Sequence, residues 1–480
     1  MNELNSNIVE KKTSKIKVMQ FGEGNFLRAF VDWIIQKMND SGKYDGHVVV
    51  VQPLQFGRVN DLAKQDGLYT LYLQGIDNGK VVRTHEVIDV LDDFINPYTE
   101  YNKFLSYAES EDLEVVISNT TEAGITLDES DIDFSVTPKS FPGKVLALLE
   151  HRYQKFNGAV DKGLSFICCE LIDNNGDELK KCILSLAKIK KHDEHFISWI
   201  ENACHFTSTL VDRIVPGYPK DEIEEITKEL GYIDNSIVKG EIFHLWVLAK
   251  EPHIEKIFPC DKVGLNVIYA DSIKPYKQRK VKILNGCHTC MVPVSYLYGI
   301  DTVKESIEDE VVGKFAREFV FDEVVPTIEL PKDQMIAFAN SVFERYLNPF
   351  VRHELMSIAL NSISKYCARV LPTVKDYLRI NGELPRHAMF SLAALIKFYA
   401  GKRGNDSIAL KDDPSYLDYF KDVHSRGLNE EELVKDILSQ QKMWGEDLNK
   451  IANMTEVVSH YLKDINEKGM KEALKAFEGK

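Results

Sequence analysis

Nowhere in its 480 residues does the chain carry an uninterrupted apolar run of about 18, the length a membrane-crossing helix needs. The first residues, Met1 to Lys17, are polar and rich in Asn, Lys and Glu, without the apolar segment of a secretory signal. Cysteine is scarce. Eight thiols in so long a chain make no disulfide framework, and a cytoplasmic protein with reduced thiols is expected. Basic charge is in deficit as well: 59 Lys and Arg against 74 Asp and Glu leave a net charge of -15, which repels nucleic acid and anionic membranes. Internal repeats and low-complexity tracts are also lacking. What is present, 44% hydrophobic and 28% charged residues, suits a globular protein with room for two or three domains.

The first half alternates short β-rich runs with helical patterns, as an α/β domain does. Residues 18–21, 47–51, 115–118 and 165–169 read as buried strands, being short, apolar and rich in β-branched or aromatic residues. Residues 68–73 and 81–87 flank Asn78-Gly79, whose turn chemistry suits a hairpin inserted into a doubly wound sheet. After about Ser272 the strand signal fades. Residues 302–321, 333–346 and 353–370 carry helical spacing, and Pro326, Pro331, Pro349, Pro372 and Pro385 are each expected near a helix end. An α/β domain over 1–271 followed by an all-helical domain over 272–480 is therefore expected, with a cleft between them as the natural place for a site. The charged amphipathic end, 465–480, reads as a solvated terminal helix.

Two motifs carry chemistry. From Val18 to Phe30 a strand runs through Gly22 and Gly24 into an apolar helix, and the two glycines would permit a tight turn and the approach of a pyrophosphate to backbone N–H groups. Leu27 holds the place of the third glycine of the dinucleotide fingerprint, so the generic match is weak. The second strand ends in Gln52-Pro53 rather than an acidic residue. An amide can bond ribose hydroxyls, whereas Arg58 could meet a 2′-phosphate, so NAD and NADP both stay open.

The other motif runs from Lys280 through Asn285 to His288, at offsets of five and three. On an α-helix turning about 100° per residue, Asn285 lies roughly 140° and His288 roughly 80° from Lys280. One arc thus carries an amine, an amide and an imidazole: a proton carrier, a polariser and an orienting group for a hydroxyl or carbonyl, with no metal required. Ile283 and Leu284 mark the helix as mostly buried, so satisfied core polar groups are the plain alternative. Cys287 and Cys290 frame His288 as C-x-x-C, yet no second pair at zinc spacing exists, and small thiols packing a helix fit better.

Together, Gly22, Gly24, Phe26 and Arg28 with Lys280, Asn285 and His288 resemble the polyol-specific long-chain dehydrogenases, the mannitol dehydrogenase family, whose hallmarks are a Gly-x-Gly-x-Phe-x-Arg turn and a Lys-x4-Asn-x2-His helix. Residues 120–124, 140–144, 211–215, 245–247 and 276–280 look like the same family, so the resemblance covers almost the whole chain. It implies a Rossmann-like N-terminal domain followed by a helical one, with NAD held by Phe21, Gly22, Gly24, Asn25, Phe26, Arg28, Gln52, Asn119 and Thr121. It also implies metal-independent catalysis. Lys280 would be the general base or acid, its pKa lowered by burial or by cations such as Lys282; Asn285 would donate to the oxygen gaining charge, and His288 would orient substrate hydroxyls.

Departures from the family pattern narrow the substrate. Glu170-Leu171 stands where the mannitol enzymes have Asp-Asn, Lys277 replaces a glutamate, and Ser357 an arginine, so the substrate is not a plain polyol. Residues 20–33, 169–173, 283–289 and 348–353 look most like the members that interconvert a keto-uronate and an aldonate in hexuronate breakdown. A uronate carboxylate wants a charge-assisted partner, for which Lys144, Arg352, His353, Lys365 and Arg369 are the candidates. The sugar's stereochemistry stays open, as does assembly beyond a monomer or small homo-oligomer. A silent dinucleotide sensor is the rival outside enzymes, against which the intact Lys-Asn-His set argues.

Overall fold

The computed structural model describes residues 1–121 and 123–479; Glu122, within the 120–124 stretch, and Lys480 lie outside the described residues. Its strands in the first half are β1 (Ile16–Phe21), β2 (His47–Val51), β3 (Tyr69–Asp77), β4 (Lys80–Ile88), β5 (Leu91–Ile95), β6 (Val115–Ser118), β7 (Ser165–Cys168), β8 (His205–Asp212), β9 (Val238–Glu241), β10 (Leu245–Ala249) and β11 (Val267–Ala270). Eight of them form one sheet in the order β11-β10-β8-β7-β6-β1-β2-β5. Its neighbours run parallel, except that β10 lies antiparallel to β8.

Burial on both faces explains why its strands read as continuous apolar runs. Val48 and Val50 of β2 enter one hydrophobic cluster with Trp33 and Trp246, while Val49 and Val51 enter the other with Phe141 and Trp199. From β1 the chain winds outward through β2 and β5, then returns to β6 and winds the other way through β7 and β8. The winding reverses between β1 and β6, so the carboxyl ends at Phe21 and Ser118 form the switch point at which such sheets hold ligands.

The hairpin β3-β4 turns at Asn78 and Gly79, both with positive φ. It stands outside the main sheet, in a separate three-stranded one where β3 runs parallel to β9. The chain divides into two compact units, one of Met1–Gln74 with Val82–Ile273, the other of Gly75–Val81 with everything from Lys274 onward. The hairpin tip therefore goes with the second unit, where the Gly79 N–H donates to Glu344 at 2.9 Å.

Among the described residues that second unit is helical apart from the β3-β4 tip and a small hairpin, Lys402–Arg403 with Asp406–Ser407. Pro331 and Pro385 precede helices Lys332–Tyr346 and Arg386–Phe398, and Pro372 lies in the first turn of Leu371–Asn381. One expectation needs correction. The terminal helix Met470–Glu478 is not solvated all round, because Met470, Ala473, Leu474 and Phe477 are buried, with the Phe477 ring against Phe315, His387 and Phe390. Among the described residues no helix is long and apolar enough to cross a membrane.

Candidate active site

In the first unit, Gly22 leaves β1 at φ +126°, and a Cβ there would lie 3.2 Å from both the Asn119 carbonyl oxygen and Leu27 Cδ1. Only glycine fits. Leu27, in the third-glycine position, is buried and comes close to the first glycine instead. At Gly24 nothing lies within 4 Å of where a Cβ would be. No protein atom demands glycine there, and the open space over its backbone is the kind a closely approaching phosphate fills. Beside the turn is a cavity of about 130 Å³ whose lining includes Glu23, Gly24, Asn25, Arg28 and Arg58.

The side chains expected around a dinucleotide mostly build this turn. The buried Arg28 guanidinium donates to the Glu23 carbonyl at 3.2 Å, the Ser236 carbonyl at 2.5 Å and Asn25 Oδ1 at 2.8 Å. The Gln52 amide folds the loop after β2 by donating to the carbonyls of Leu54 at 2.8 Å and Gln55 at 3.1 Å. Phe21 is core, edge-on to Phe104 and Phe141, and Phe26 stacks on Phe30. Across the switch point the Asn119 N–H donates to the Phe21 carbonyl at 3.1 Å and its side chain to the Cys169 carbonyl at 2.6 Å. Thr121 follows at φ +85°, uncommon for a β-branched residue. Glu170 secures this loop, accepting from the Thr120 N–H and hydroxyl at 3.0 Å each and from Ser118 at 3.1 Å. Burial pushes the Glu170 carboxyl up from its ordinary range.

In the second unit the Lys280 helix departs from α geometry. Lys274–Arg279 is α-helical, Lys280–Asn285 is a π-helix, and α-helix resumes over Gly286–Tyr298. With i→i+5 bonding, residues five apart stack one turn apart, so Lys280 and Asn285 share a face instead of diverging by roughly 140°. His288, three residues beyond Asn285 in the α part, continues that face. The wide turn has its own supports: the Tyr346 hydroxyl donates to the Leu284 carbonyl at 2.6 Å, and Thr289 Oγ1 to the Asn285 carbonyl at 2.9 Å. A Cβ at Gly286 would lie 3.1 Å from the Arg369 carbonyl, so glycine lets helix Ser362–Arg369 come close.

Lys282 takes no part in that face. Its ammonium pairs with Asp376 at 2.7 Å and donates to Thr327 Oγ1 at 3.2 Å, so the carboxylate offsets the charge expected to act on Lys280. Asp376→Ala should strand a buried ammonium and lower stability by about 3 kcal/mol, read as a shifted denaturant midpoint at unchanged slope.

His288 is buried, its ring 4.4 Å from Tyr346 and 5.0 Å from His353. Burial, reinforced by the neighbouring His353 ring and by the Arg345, Arg369 and Lys365 cations, holds the imidazole well below its ordinary pKa and hence neutral. Its Nε2 is buried without a hydrogen-bond partner. Burial also lowers His353 and Arg369, and lowers Lys365, whose ammonium donates to the Ile358 carbonyl at 2.7 Å.

Of the five carboxylate candidates, His353 packs against His288 at 5.0 Å, and Arg369 and Lys365 act on it electrostatically. Arg352 lies on the surface, 73% exposed, in a pair with Glu354. Lys144 belongs to the first unit, fully buried, donating to the Tyr98 hydroxyl at 3.1 Å and the Lys139 carbonyl at 2.9 Å, and burial lowers it to about 8. Arg345 and Tyr346 escaped the sequence reading, since the helix Lys332–Tyr346 showed only its apolar period and nothing tied it to His288. Cys287 and Cys290 are buried thiols, and burial pushes Cys287 up to about 12. Among the described residues the one trio of side chains with metal-ligating atoms mutually within 4.8 Å is Glu318, His387 and Glu478, which includes neither thiol.

Comparison with known proteins gives a consistent picture. Residues 16–259 match the mannitol dehydrogenase Rossmann domain and residues 272–466 the mannitol dehydrogenase C-terminal domain. The altronate oxidoreductase of Phocaeicola vulgatus is 44% identical over 477 residues, covering 99% of both chains. That of Bacillus subtilis is 43% identical over 479 residues, 99% of this chain and 98% of its own. Among solved structures, a D-sorbitol dehydrogenase in substrate-free form superposes with a TM-score of 0.83 over 98% of this chain and 100% of its own. The Pseudomonas fluorescens mannitol 2-dehydrogenase, in its ternary complex with NAD and D-mannitol, gives 0.69 over 100% of both. Both structures are 21% identical to this chain, so the likeness is one of fold.

Proposed function

Because the chain belongs to the mannitol dehydrogenase family, oxidoreductases that act on a CH–OH group, we propose that it reduces D-tagaturonate to D-altronate, reversibly, with NAD. The glycine turn suits that cofactor: Gly22 makes the bend, Arg28 and Gln52 fix the loops, and the space over Gly24 would take the pyrophosphate. When bound, NADH supplies hydride to the ketone carbon and NAD⁺ accepts it in reverse.

The chain's own groups move the proton and set the geometry. Lys280, as the ammonium, gives a proton to the carbonyl oxygen during reduction; as the free amine it takes one from the hydroxyl during oxidation. One hydride and one proton pass per turnover. Asn285 donates to that oxygen as negative charge builds on it. Neutral His288 holds a neighbouring hydroxyl through Nε2, while His353, Lys365 and Arg369 meet the carboxylate. The observation that carries the substrate class is this buried Nε2, without a hydrogen-bond partner and in the field of Arg345, Arg369 and Lys365: a hydroxyl and an anion from one ligand would complete it. The near full-length altronate oxidoreductase relatives support the choice of sugar.

Purified protein should consume NADH with tagaturonate at a kcat/KM at least about tenfold above that with fructuronate or fructose, a difference of about 1.4 kcal/mol in transition-state binding. Equal or faster turnover of fructuronate would reassign the substrate. Turnover unchanged after chelator treatment is expected, since no step needs a metal. Gly24→Ala should raise the Kd for NADH at least about tenfold with unaltered thermal stability, whereas Gly22→Ala should cost about 2 kcal/mol of stability. Equal effects of the two on folding would remove the role given to the open space.

A further inference from the structure

We propose that Glu318, His387 and Glu478 form a divalent-cation site that fastens the terminal helix Met470–Glu478 to helices Glu310–Glu318 and Arg386–Phe398. None of these residues belongs to the Lys280 face. His387 Nε2 lies 3.2 Å from Glu318 Oε2 and 3.5 Å from Glu478 Oε1. A tetrahedral ion with bonds of 2.0–2.1 Å separates its ligand atoms by about 3.4 Å, so both spacings suit one ion with little movement.

The imidazole is already oriented for the purpose. Its Nδ1 sits 2.8 Å from Glu323 Oε1, and Glu323 is itself fixed by the backbone N–H groups of His387 at 2.6 Å and Ala388 at 3.0 Å. A carboxylate on one ring nitrogen that aims the other outward is the usual support of a metal-bound histidine. Phe315 and Phe477 close the sides of the ring.

Glu478 is a buried carboxylate held by ion pairs with Lys314 and His387 and by no hydrogen bond. Its side chain is 5% exposed, yet neither carboxylate oxygen accepts a hydrogen bond. The cations near it are Lys314 Nζ, 3.3 Å from Oε2, and the His387 ring. Lys314 directs its hydrogen bond elsewhere, to the Glu478 backbone carbonyl at 2.6 Å. Buried carboxylates are ordinarily paired, hydrogen-bonded or metal-bound. Charge favours the last: Glu318 and Glu478 share the one ammonium of Lys314, at 3.5 and 3.3 Å, Glu323 adds a third carboxylate against the His387 ring, and a dication would offset the excess. An open recess of about 420 Å³, lined by Asp309, Glu310, Lys314 and Glu318 among others, leads to Glu318 and gives an ion an acidic way in.

The alternative occupant is a proton. Flanking carboxylates raise His387 to about 9 against the opposing effect of burial, so a protonated imidazole could serve as a plain ion-pair centre. Titration of chelator-stripped full-length protein with Zn²⁺ or Mn²⁺ alone, followed by calorimetry, separates the two. One ion per chain is expected, with a Tm raised by several degrees. Glu318→Gln and Glu478→Gln should each weaken binding at least tenfold while the metal-free variants stay folded. Co²⁺ should give the visible spectrum of a site with nitrogen and oxygen ligands in the natural chain, a readout independent of whether any variant folds. No stoichiometric ion, or equal binding by both variants, would leave an ion-pair cluster with adventitious surface binding and overturn the proposal.

Discussion

Lys280→Ala should lower kcat for tagaturonate reduction by about a thousandfold while leaving the Kd for NADH within about twofold, the magnitude of a lost general acid or base. A proton delivered in the transition state contributes nothing to cofactor binding, which the proposed function assigns to the glycine turn of the other unit. Lys280→Arg sharpens the test. Arginine keeps the positive charge but stays protonated at any working pH, so it cannot act as the base for oxidation. If both variants are equally dead in oxidation, the amine is a proton carrier. If arginine restores the rate, Lys280 serves as a fixed charge. Full turnover by the alanine variant would remove it from the chemistry altogether.

Arg369→Met should raise KM for the keto-uronate by about ten- to a hundredfold, since a hydrogen bond to a charged group is worth about 1.5–3 kcal/mol. Lys365→Met should act in the same direction but less, because that ammonium already donates to the Ile358 carbonyl. KM for NADH should not move. Preference over an uncharged ketose should collapse in the Arg369 variant, because only the charged substrate loses a partner. Arg352→Met provides the contrast: its guanidinium is paired with Glu354 at the surface, and steady-state constants should match those of the natural chain. A large effect at Arg352 with none at Arg369 would move the carboxylate away from His288.

What the sequence revealed follows from how each feature is encoded. Strands such as His47–Val51 were legible because burial on both faces writes an unbroken apolar run. Leu91–Ile95 carries two aspartates and His205–Asp212 several hydroxyls, and neither read as a strand although both pair in the main sheet. The order Lys280, Asn285, His288 was plain, but its geometry was not: an angular reading assumes one helical period, and the π turn changes it locally. Five basic groups could be named for a carboxylate, yet only folding sets His353 against His288 with Lys365 and Arg369 in electrostatic reach, and leaves Lys144 against Tyr98 and Arg352 against Glu354. Arg345 and Tyr346 had no local signature, because their role depends on helices distant in sequence. The docking of Met470–Glu478 was hidden for a similar reason: its charges suggested solvent, while its apolar positions meet partners from Phe315 to Phe390.

The hairpin tip has a consequence for dissection of the molecule. Since Gly75–Val81 goes with the later unit, the backbone shuttles between the two units at 74/75, 81/82 and 273/274 rather than once. Scission near residue 272 would part the carboxy-terminal fragment from Gly79, the donor to Glu344. A recombinant piece meant to isolate the lysine-bearing helices should therefore carry a graft of that tip.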